Sequence, residues 1–335
     1  MKNRAKLSTV GTALVLAFLV VLVSVPVLSV VVNFPDPGLE AAIRDAIGKP
    51  DGDILSTELD DLATLDANSR GIVSLKGIQY CENLTALWLG DNQVADITSL
   101  SSLINLTFLW LGDNQVVDIT SLSSLINLTF LWLFDNLIVS ISSLSGLSEL
   151  VALDLGSNQI VDISPLAGLT NLADLSLSDN QIVDISPLSE LSNPTRLHLH
   201  ENQIVDISPL AGLTNLTRLH LDWNQIISIG PLAGLTNLTN LSLSDNQIVD
   251  VSPLASLTNL TKLWLMYNQI VDIQALVDNA GLRARDDLDT QDIFVDTDYL
   301  DICYNNLDLT PDSSDMLNIK ALLGRGVRVN YAPQN

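Results

Sequence analysis

Basic residues are scarce in this 335-residue sequence: 15 lysines and arginines stand against 39 aspartates and glutamates, and the formal net charge is −24. Such a chain has too few cations to neutralise a phosphate backbone, which excludes nucleic acid as a partner. The sequence also lacks a glycine-rich phosphate loop, the spacing of a Ser-His-Asp triad and a pair of carboxylates placed for acid–base catalysis. These absences argue against an enzyme. The acidic excess is interpreted as a solvated surface, which by itself identifies no ligand.

Charged residues are missing from residues 10–32, an apolar run interrupted by Pro26. Three basic residues precede it: Lys2, Arg4 and Lys6. This pattern is typical of an export signal, and the Val-Leu-Ser sequence before Val30 offers a cleavage site, so residues 1–29 are predicted to be a signal peptide. The run also exceeds the roughly 20 residues that cross a bilayer, so an uncleaved N-terminal membrane anchor is the alternative interpretation. In both cases the rest of the chain is expected to be secreted or displayed at the cell surface.

A 22-residue repeat occupies the middle of the chain. Asparagine recurs at this interval nine times: Asn92, Asn114, Asn136, Asn158, Asn180, Asn202, Asn224, Asn246 and Asn268. The same frame surrounds each asparagine, as in residues 216–226, which read Leu-Thr-Arg-Leu-His-Leu-Asp-Trp-Asn-Gln-Ile. This frame matches the leucine-rich-repeat pattern L-x-x-L-x-L-x-x-N-x-L. Residues 65–276 are therefore predicted to be leucine-rich repeats.

Each repeat carries seven apolar positions, which must form its inside. In one repeat these are Leu172, Leu175, Leu177, Ile182, Ile185, Leu188 and Leu191. Since a lone repeat exposes them on two flat sides, it is stable only when neighbours stack on it. The alternating Leu-x-Leu segment predicts a short strand in a parallel sheet, and 22 residues leave room only for short 3₁₀ or extended segments opposite. The predicted fold is a leucine-rich-repeat solenoid, a right-handed horseshoe of the β/α type with a concave sheet.

Two polar columns of the repeat are assigned to structure. The asparagine that follows each strand can hydrogen-bond backbone groups of the turn. An aspartate column precedes the convex turns and contains Asp162, Asp184, Asp206, Asp250 and Asp272. A ladder of cation sites is an alternative for this column, but Ser140 and Ser228 occupy it in two repeats. Serine shares the capping ability of aspartate and lacks its charge, so capping is favoured.

Both ends of a solenoid expose core side chains and need caps. At the front, Asp36 and Pro37 stand where a helix N-cap and a first helical residue belong, and Gly48 stands where the helix ends. Residues 30–64 are therefore predicted to be a helical N-terminal cap. At the back, residues 300–335 are predicted to hold the last irregular repeat, followed by a C-terminal cap made of a helix and a strand.

The period breaks between these parts, so residues 277–299 are predicted to be an acidic insertion. It contains the aspartates Asp286, Asp287, Asp289, Asp292, Asp296 and Asp298. Their oxygen atoms suit calcium, but the segment lacks the glycine and the terminal glutamate of a calcium-binding loop. A calcium site is therefore not favoured.

Only two cysteines are present, Cys81 and Cys303. Cys81 falls in an apolar column of the repeat and is predicted to be a core thiol. Ten strand spacings, on the order of 48 Å, separate it from Cys303. A disulfide needs Cα atoms within about 7 Å, so the sequence excludes an internal disulfide.

The 22-residue units, the stretch Asn-Gln-Ile-Val-Asp-Ile-Ser-Pro-Leu at residues 158–166 and the front segment Asn-Phe-Pro-Asp-Pro-Gly-Leu-Glu-Ala-Ala-Ile-Arg at residues 33–44 resemble internalin-type bacterial leucine-rich-repeat proteins. The resemblance covers residues 30–276 and, more weakly, the tail. It implies a surface or secreted binding protein that uses the concave face of its sheet for adhesion or recognition.

Aromatic residues concentrate at the variable positions that are predicted to face the concave side. These are Trp88, Phe108, Trp110, Phe130, Trp132, Phe134, Trp223 and Trp264. An exposed apolar patch of this kind is seldom kept without a partner, which indicates a binding platform. The structural alternative is that neighbouring rings stack on each other and stiffen the sheet.

A second concave cluster contains every histidine of the chain: Arg196, His198, His200, Glu201, Arg218, His220, Asp222 and Trp223. A polar contact surface is the favoured interpretation, and no cofactor or metal is expected. The alternative is a zinc ion held by His198, His200 and His220, with Asp222 or Glu201 as a further ligand. A later repeat adds further concave candidates: Lys262, Trp264, Met266 and Tyr267.

The sequence thus predicts an exported recognition or adhesion module whose concave face binds a protein ligand. Polysaccharide is the second ligand class, since sugars also stack on aromatic rings and would use the nearby carboxylates of Asp91, Asp113 and Asp135. Membrane contact is expected only through an uncleaved N-terminal segment, and a monomer is expected.

Overall fold

The computed structural model describes residues 29–283 and 299–335. Within them, twelve strands form one parallel sheet in which every strand lies beside its sequence neighbours. Equivalent positions pair across the sheet, as Leu175 pairs with Leu197 and Leu219 pairs with Leu241. The predicted leucine-rich-repeat solenoid with a parallel sheet and 3₁₀ turns is confirmed.

The strands of this sheet are β3 (Thr64–Asp66), β4 (Ala86–Trp88), β5 (Phe108–Trp110), β6 (Phe130–Trp132), β7 (Ala152–Asp154), β8 (Asp174–Ser176), β9 (Arg196–His198), β10 (Arg218–His220), β11 (Asn240–Ser242), β12 (Lys262–Trp264), β13 (Tyr299–Asp301) and β14 (Arg328–Asn330). A separate antiparallel pair, β1 (Val31–Val32) and β2 (Ile54–Leu55), lies in front of it. The α-helices are α1 (Pro37–Ile47), α2 (Gln274–Asp278) and α3 (Ser314–Gly324).

Strands β3 to β13 each bury a central leucine and turn the two flanking side chains to the concave side, whereas β14 has a half-buried valine, Val329, at this position. In β4, Leu87 is buried, whereas Ala86 and Trp88 are half-buried. This follows from the alternation of side chains along a strand. The buried leucines, isoleucines and valines form one continuous core that runs through all repeats.

Short 3₁₀ helices form the convex side: Ser56–Glu58, Ile78–Tyr80, Thr98–Ser102, Thr120–Ser124, Ser142–Leu144, Ser164–Leu166, Ser186–Glu190, Ser208–Gly212, Gly230–Gly234 and Ser252–Ser256. The aspartate column caps them, as predicted. The Asp162 Oδ1 atom accepts a hydrogen bond from the backbone N–H of Ser164 at 2.8 Å, which lowers the pKa of Asp162. Of the two serines in this column, Ser140 accepts the equivalent bond at its Oγ atom from the backbone N–H of Ser142 at 3.5 Å.

The asparagine column joins consecutive repeats through a side-chain amide. In Asn180, Nδ2 donates to the carbonyl oxygens of Leu177 and Ser178 in its own repeat and to that of Leu155 in the preceding repeat, at 3.0–3.2 Å. Its Oδ1 accepts from the backbone N–H of Ile160 at 2.9 Å. The same four contacts recur at Asn114 and in later repeats. The column is structural, as the sequence predicted.

The N-terminal helix is fixed to the first repeat by its own cap residue. Asp36 Oδ1 accepts from the backbone of Gly38 and Leu39, and its Oδ2 accepts from Val73 and Ser74 at 2.8 and 3.0 Å. Burial raises the pKa of Asp36, but these four backbone hydrogen bonds outweigh burial and the pKa is lowered overall. One carboxylate thus caps helix α1 and holds it against the front of the solenoid.

At the opposite end, β13 restores the repeat and β14 ends the sheet. Helix α3 begins at Ser314, because the Ser313 hydroxyl caps it by accepting from the backbone N–H of Met316. The aspartates of the calcium alternative and most of the predicted acidic insertion fall on residues 284–298, and all but the last residue of the predicted signal, residues 1–29, falls on residues 1–28. Both segments lie outside the described residues. In the part of the chain that is described, no helix is long and apolar enough to cross a bilayer.

Both cysteines are buried free thiols, in agreement with the excluded disulfide. Burial raises the pKa of Cys81 to about 12 and that of Cys303 to about 11. Neither thiol is therefore ionised at neutral pH, and both belong to the core rather than to a reactive site.

We expect Asn180→Ala to lower the free energy of unfolding by at least about 2 kcal/mol, because each buried group left without a partner costs about 1–3 kcal/mol. Urea denaturation followed by circular dichroism measures this loss. The adjacent Gln181 is exposed and provides the matched control. Gln181→Ala should change stability by less than about 0.5 kcal/mol. Equal effects of the two substitutions would show that the amide column does not join the repeats.

Candidate ligand-binding face

Six aromatic side chains from β4, β5, β6 and the turn after β6 form one connected group on the concave face. We call it the aromatic patch, and its members are Trp88, Phe108, Trp110, Phe130, Trp132 and Phe134. Trp132 is central: its ring centroid lies 4.9 Å from Phe108, 5.8 Å from Trp110 and 5.8 Å from Phe130. Trp88 contacts Phe108 at 4.8 Å and Phe134 meets Trp110 edge-on at 5.9 Å.

The patch is partly covered by its own rings. Phe130 is 40% exposed, and the other five side chains are half-buried. The rings therefore stack on each other, as the structural alternative requires, and still present a continuous apolar surface to the trough. Such pairs contribute about 0.5–1.5 kcal/mol each, so stacking and ligand binding are compatible roles of the same side chains.

Two glycines seat the rings, and the sequence analysis missed them. A Cβ atom on Gly112 would lie 2.5 Å from the ring of Phe134, and one on Gly90 would lie 2.8 Å from Nε1 of Trp110. Each ring thus rests on the backbone of the preceding repeat. Other repeats have larger residues at this position, such as Ser178 and Ser244. Alignment of the repeats would therefore have singled out the two glycines.

A cavity of about 270 Å³ separates the aromatic patch from the histidines. We call it the acidic pocket, and its lining is Trp132, Ala152, Leu153, Asp154, Asp174, Ser176 and His198. Burial raises the pKa of Asp154, although its Oδ1 accepts a hydrogen bond from the backbone of Gly156 at 2.9 Å. Asp174 forms an ion pair of 2.7 Å with Arg196. The two aspartates occupy the same columns as Trp132 and Arg196, so the repeat register alone could have identified them.

The three histidines form a compact group, which we call the histidine triad. His198 and His220 lie side by side on paired strands, with ring centroids 4.6 Å apart, and the ring of His200 lies 6.2 and 6.3 Å from theirs. Burial lowers the pKa of both His198 and His220. The sequence prediction that the three side chains approach each other agrees with this geometry.

The two carboxylates considered as further zinc ligands do not join this group. Asp222 Oδ1 accepts hydrogen bonds from the Ser242 hydroxyl and from the backbone of Ser244 in the next repeat, at 3.1 Å for the latter. Glu201 is exposed, and neither residue belongs to the cluster of potential ligand atoms within 4.8 Å of one another. That part of the zinc alternative is wrong, because Asp222 Oδ1 is bonded to the next repeat and neither carboxylate belongs to the cluster of ligand atoms.

The remaining predicted residues are more dispersed. Arg196 and Arg218 are exposed beside the triad, and Trp223 is 60% exposed. The residue before each asparagine has a positive φ between 49° and 57°, a region that bulky side chains rarely adopt. Trp223 and Tyr267 both stand in this column, which marks them as departures from the usual aspartate or serine.

A third group lies near the C-terminal end of the sheet, six strands from the aromatic patch. Its predicted members are Lys262, Trp264, Met266 and Tyr267. The ring of Trp264 lies 6.0 Å from that of Tyr299, and Tyr267 stacks on Tyr304 at 4.2 Å. The sequence analysis did not identify Tyr299 and Tyr304, because the period is interrupted before β13.

The repeat pattern and this architecture define a leucine-rich-repeat protein. The family model for leucine-rich repeats (2 copies) matches residues 82–124, 104–148, 126–168, 148–190, 170–212, 195–234 and 236–278. These segments cover more than half of the chain.

Solved structures narrow the class. An internalin (inlF) from Listeria monocytogenes is 31% identical, with 90% of this chain and 91% of that chain covered and a TM-score of 0.72. An internalin C2 (inlC2) from the same species is 42% identical, with 64% of this chain and 94% of that chain covered and a TM-score of 0.61. This chain belongs to the internalin-type bacterial leucine-rich-repeat proteins.

A curated relative, internalin H of Listeria monocytogenes, is 42% identical over 65 residues. The match spans 19% of this chain and 12% of internalin H. It supports the family, whose fold is that of protein-interaction modules.

We expect Asp154→Asn to raise stability at pH 7. Burial raises the folded-state pKa of Asp154, so the ionised carboxylate destabilises the fold above that pKa, and the amide removes the charge. The gain should shrink as the pH falls through the raised pKa and vanish below the unfolded-state value of 3.8. Urea midpoints at a series of pH values measure it.

The matched control is Asp162→Asn on the convex side. The pKa of Asp162 is lowered by its hydrogen bonds, so its charge stabilises the fold above the unfolded-state pKa and this substitution should give no gain at pH 7. A neutral or destabilising effect of Asp154→Asn at pH 7 would contradict the buried position of that carboxylate.

Proposed function

We propose that this chain is an exported recognition module that binds a protein ligand through the concave face of its sheet. The observation that carries the proposal is the aromatic patch: six connected rings that face an open trough. Tryptophan and phenylalanine are the side chains that most often anchor protein interfaces. The open sheet gives such anchors access to a large partner surface.

The charges around the patch favour a partner with basic side chains. Asp91, Asp113 and Asp135 follow the same three strands and are exposed. Burial and then the neighbouring carboxylates Asp135 and Asp91 raise the pKa of Asp113, so the row concentrates negative charge. A partner that places apolar side chains on the rings and lysine or arginine along this row would complement both features.

A polysaccharide is the second candidate, and the acidic pocket favours it. Asp154, Asp174 and Ser176 line this cavity beside the ring of Trp132. A sugar ring stacked on Trp132 would place its hydroxyl groups near these hydrogen-bonding side chains. The same pocket would also accept a basic side chain of a protein, so the ligand class is decided by binding experiments.

Export is part of the proposal. The basic residues and apolar run of residues 1–29 support it, as does the similarity to internalins. Strand β1 begins at Val31, and Val30 already accepts a backbone hydrogen bond from Ser56. Cleavage before Val30 would therefore leave the cap intact, and the mature chain would act outside the cytoplasm as a monomer.

We expect Trp110→Ala and Trp132→Ala, alone and combined, to abolish ligand capture, because they remove the centre of the patch. The variants should stay folded, with a loss of stability set by the ring pairs removed, two for Trp110 and three for Trp132, at about 0.5–1.5 kcal/mol each. Tyr80→Ala is the matched control, because Tyr80 is an exposed aromatic residue in a convex 3₁₀ helix. Capture is measured by pulldown of isolated surface proteins and, in parallel, on a glycan array.

The two assays separate the ligand classes. Binding to surface proteins that depends on both tryptophans supports the proposal, whereas binding confined to glycans replaces it with the second candidate. A large loss of stability with unchanged capture would assign the rings to stacking alone.

The export signal is tested by mass spectrometry of protein recovered from an expressing bacterium. We expect the mature chain to be extracellular and to begin at Val30. An intact N-terminus in the membrane fraction would instead identify an anchor, and an intact N-terminus in the soluble cytoplasm would contradict export.

A further inference from the structure

The histidine triad brings together three strong metal ligands that the aromatic patch does not use. His198 and His220 are paired residues of β9 and β10, and His200 follows two residues after His198 on the same face. One ligand atom from each residue lies within 4.8 Å of the others. The chain has only three histidines, and all of them occupy this one place on the sheet.

The separations suit coordination after a small closure. Zinc–nitrogen bonds of about 2.0–2.1 Å in tetrahedral geometry place two ligand nitrogens about 3.3 Å apart. The triad therefore needs to close by no more than about 1.5 Å, which imidazole rotation about χ1 and χ2 provides. Ser176 and Ser242, the column neighbours of His198 and His220, are small and leave the rings room to turn.

The hydrogen bonding of His200 also suits a metal. His200 Nδ1 is buried and has no hydrogen-bond partner among the described residues. A buried ring nitrogen without a partner is costly, and coordination or a reorientation on metal binding would remove that cost.

Two nearby arginine side chains would repel a metal ion, and two carboxylates offset their positive charge. Arg196 and Arg218 precede His198 and His220 by two residues on the same face. Arg196 is engaged by Asp174 in an ion pair of 2.7 Å. The carboxylate of Asp222 acts electrostatically on His220, while its Oδ1 atom accepts hydrogen bonds from Ser242 and Ser244. The local charge is therefore close to balanced before a metal ion binds.

We propose that His198, His200 and His220 bind one divalent transition-metal ion of the zinc class, with a coordination position left open toward the trough. Imidazole nitrogens select zinc, nickel and copper over calcium and magnesium, which prefer oxygen ligands. Since no carboxylate among residues 29–283 and 299–335 completes the set, water or a donor group of a bound partner takes the open position.

The test is a zinc titration of the protein purified without a histidine tag, by calorimetry, together with the visible spectrum of the cobalt-substituted protein. We expect one zinc ion per chain and a cobalt spectrum of a four-coordinate, nitrogen-rich site. His198→Ser and His220→Ser should each weaken zinc binding at least about 10-fold. Serine occupies the same column in both flanking repeats, so these variants keep the fold, and thermal unfolding verifies it.

Asn240→Ser is the matched control, because Asn240 lies on the concave face of the neighbouring strand outside the triad. It should bind zinc like the unaltered protein. Zinc binding that is equally strong in His198→Ser and His220→Ser would place the ion on the acidic surface and overturn the proposal. The absence of saturable binding would overturn it as well. Neither measurement needs the protein ligand, so the metal site and the proposed function can fail separately.

Discussion

The side-chain amide of the repeated asparagine is the interaction on which the rest of this molecule depends. Each amide satisfies carbonyl groups of its own turn and reaches one carbonyl and one N–H of the preceding repeat. It therefore fixes the shape of each turn and the spacing between turns at the same time. Buried backbone N–H and C=O groups need hydrogen-bond partners. The strands are too short to pair all of them, and the asparagine side chain supplies the missing partners.

Because this ladder fixes the register, each concave side chain from β3 to β12 has a defined neighbour 22 residues away. Trp110 lies between Trp88 and Trp132 in its column, and His220 lies beside His198. Chemical groups can thus be assembled across strands by placing the same residue type in consecutive repeats. The aromatic patch, the acidic pocket and the histidine triad are three different results of this one rule on a single sheet.

The fold could be predicted almost completely from the sequence, since the asparagine and leucine columns state the period directly. The concave positions of Trp132 and His198 followed from the same register. The orientation of individual side chains did not follow: Asp222 turns to Ser242 and Ser244 of the next repeat, and nothing in its position indicated that choice. Tyr299 and Tyr304 were missed because the arithmetic of the period fails across an insertion. Cavities such as the acidic pocket depend on which rings are absent as well as on which are present.

The seating of aromatic rings on glycine has a consequence for how such a protein can change in evolution. Phe134 needs Gly112, and the glycine belongs to the previous unit. Loss of the unit that contains β4 would place Asn68 in front of Trp110, and duplication of the unit that contains β6 would place one Phe134 in front of another. The unit that contains β5 carries the same glycine as its predecessor and could be lost or duplicated without this clash, so the units of one solenoid are not equally free to change in number.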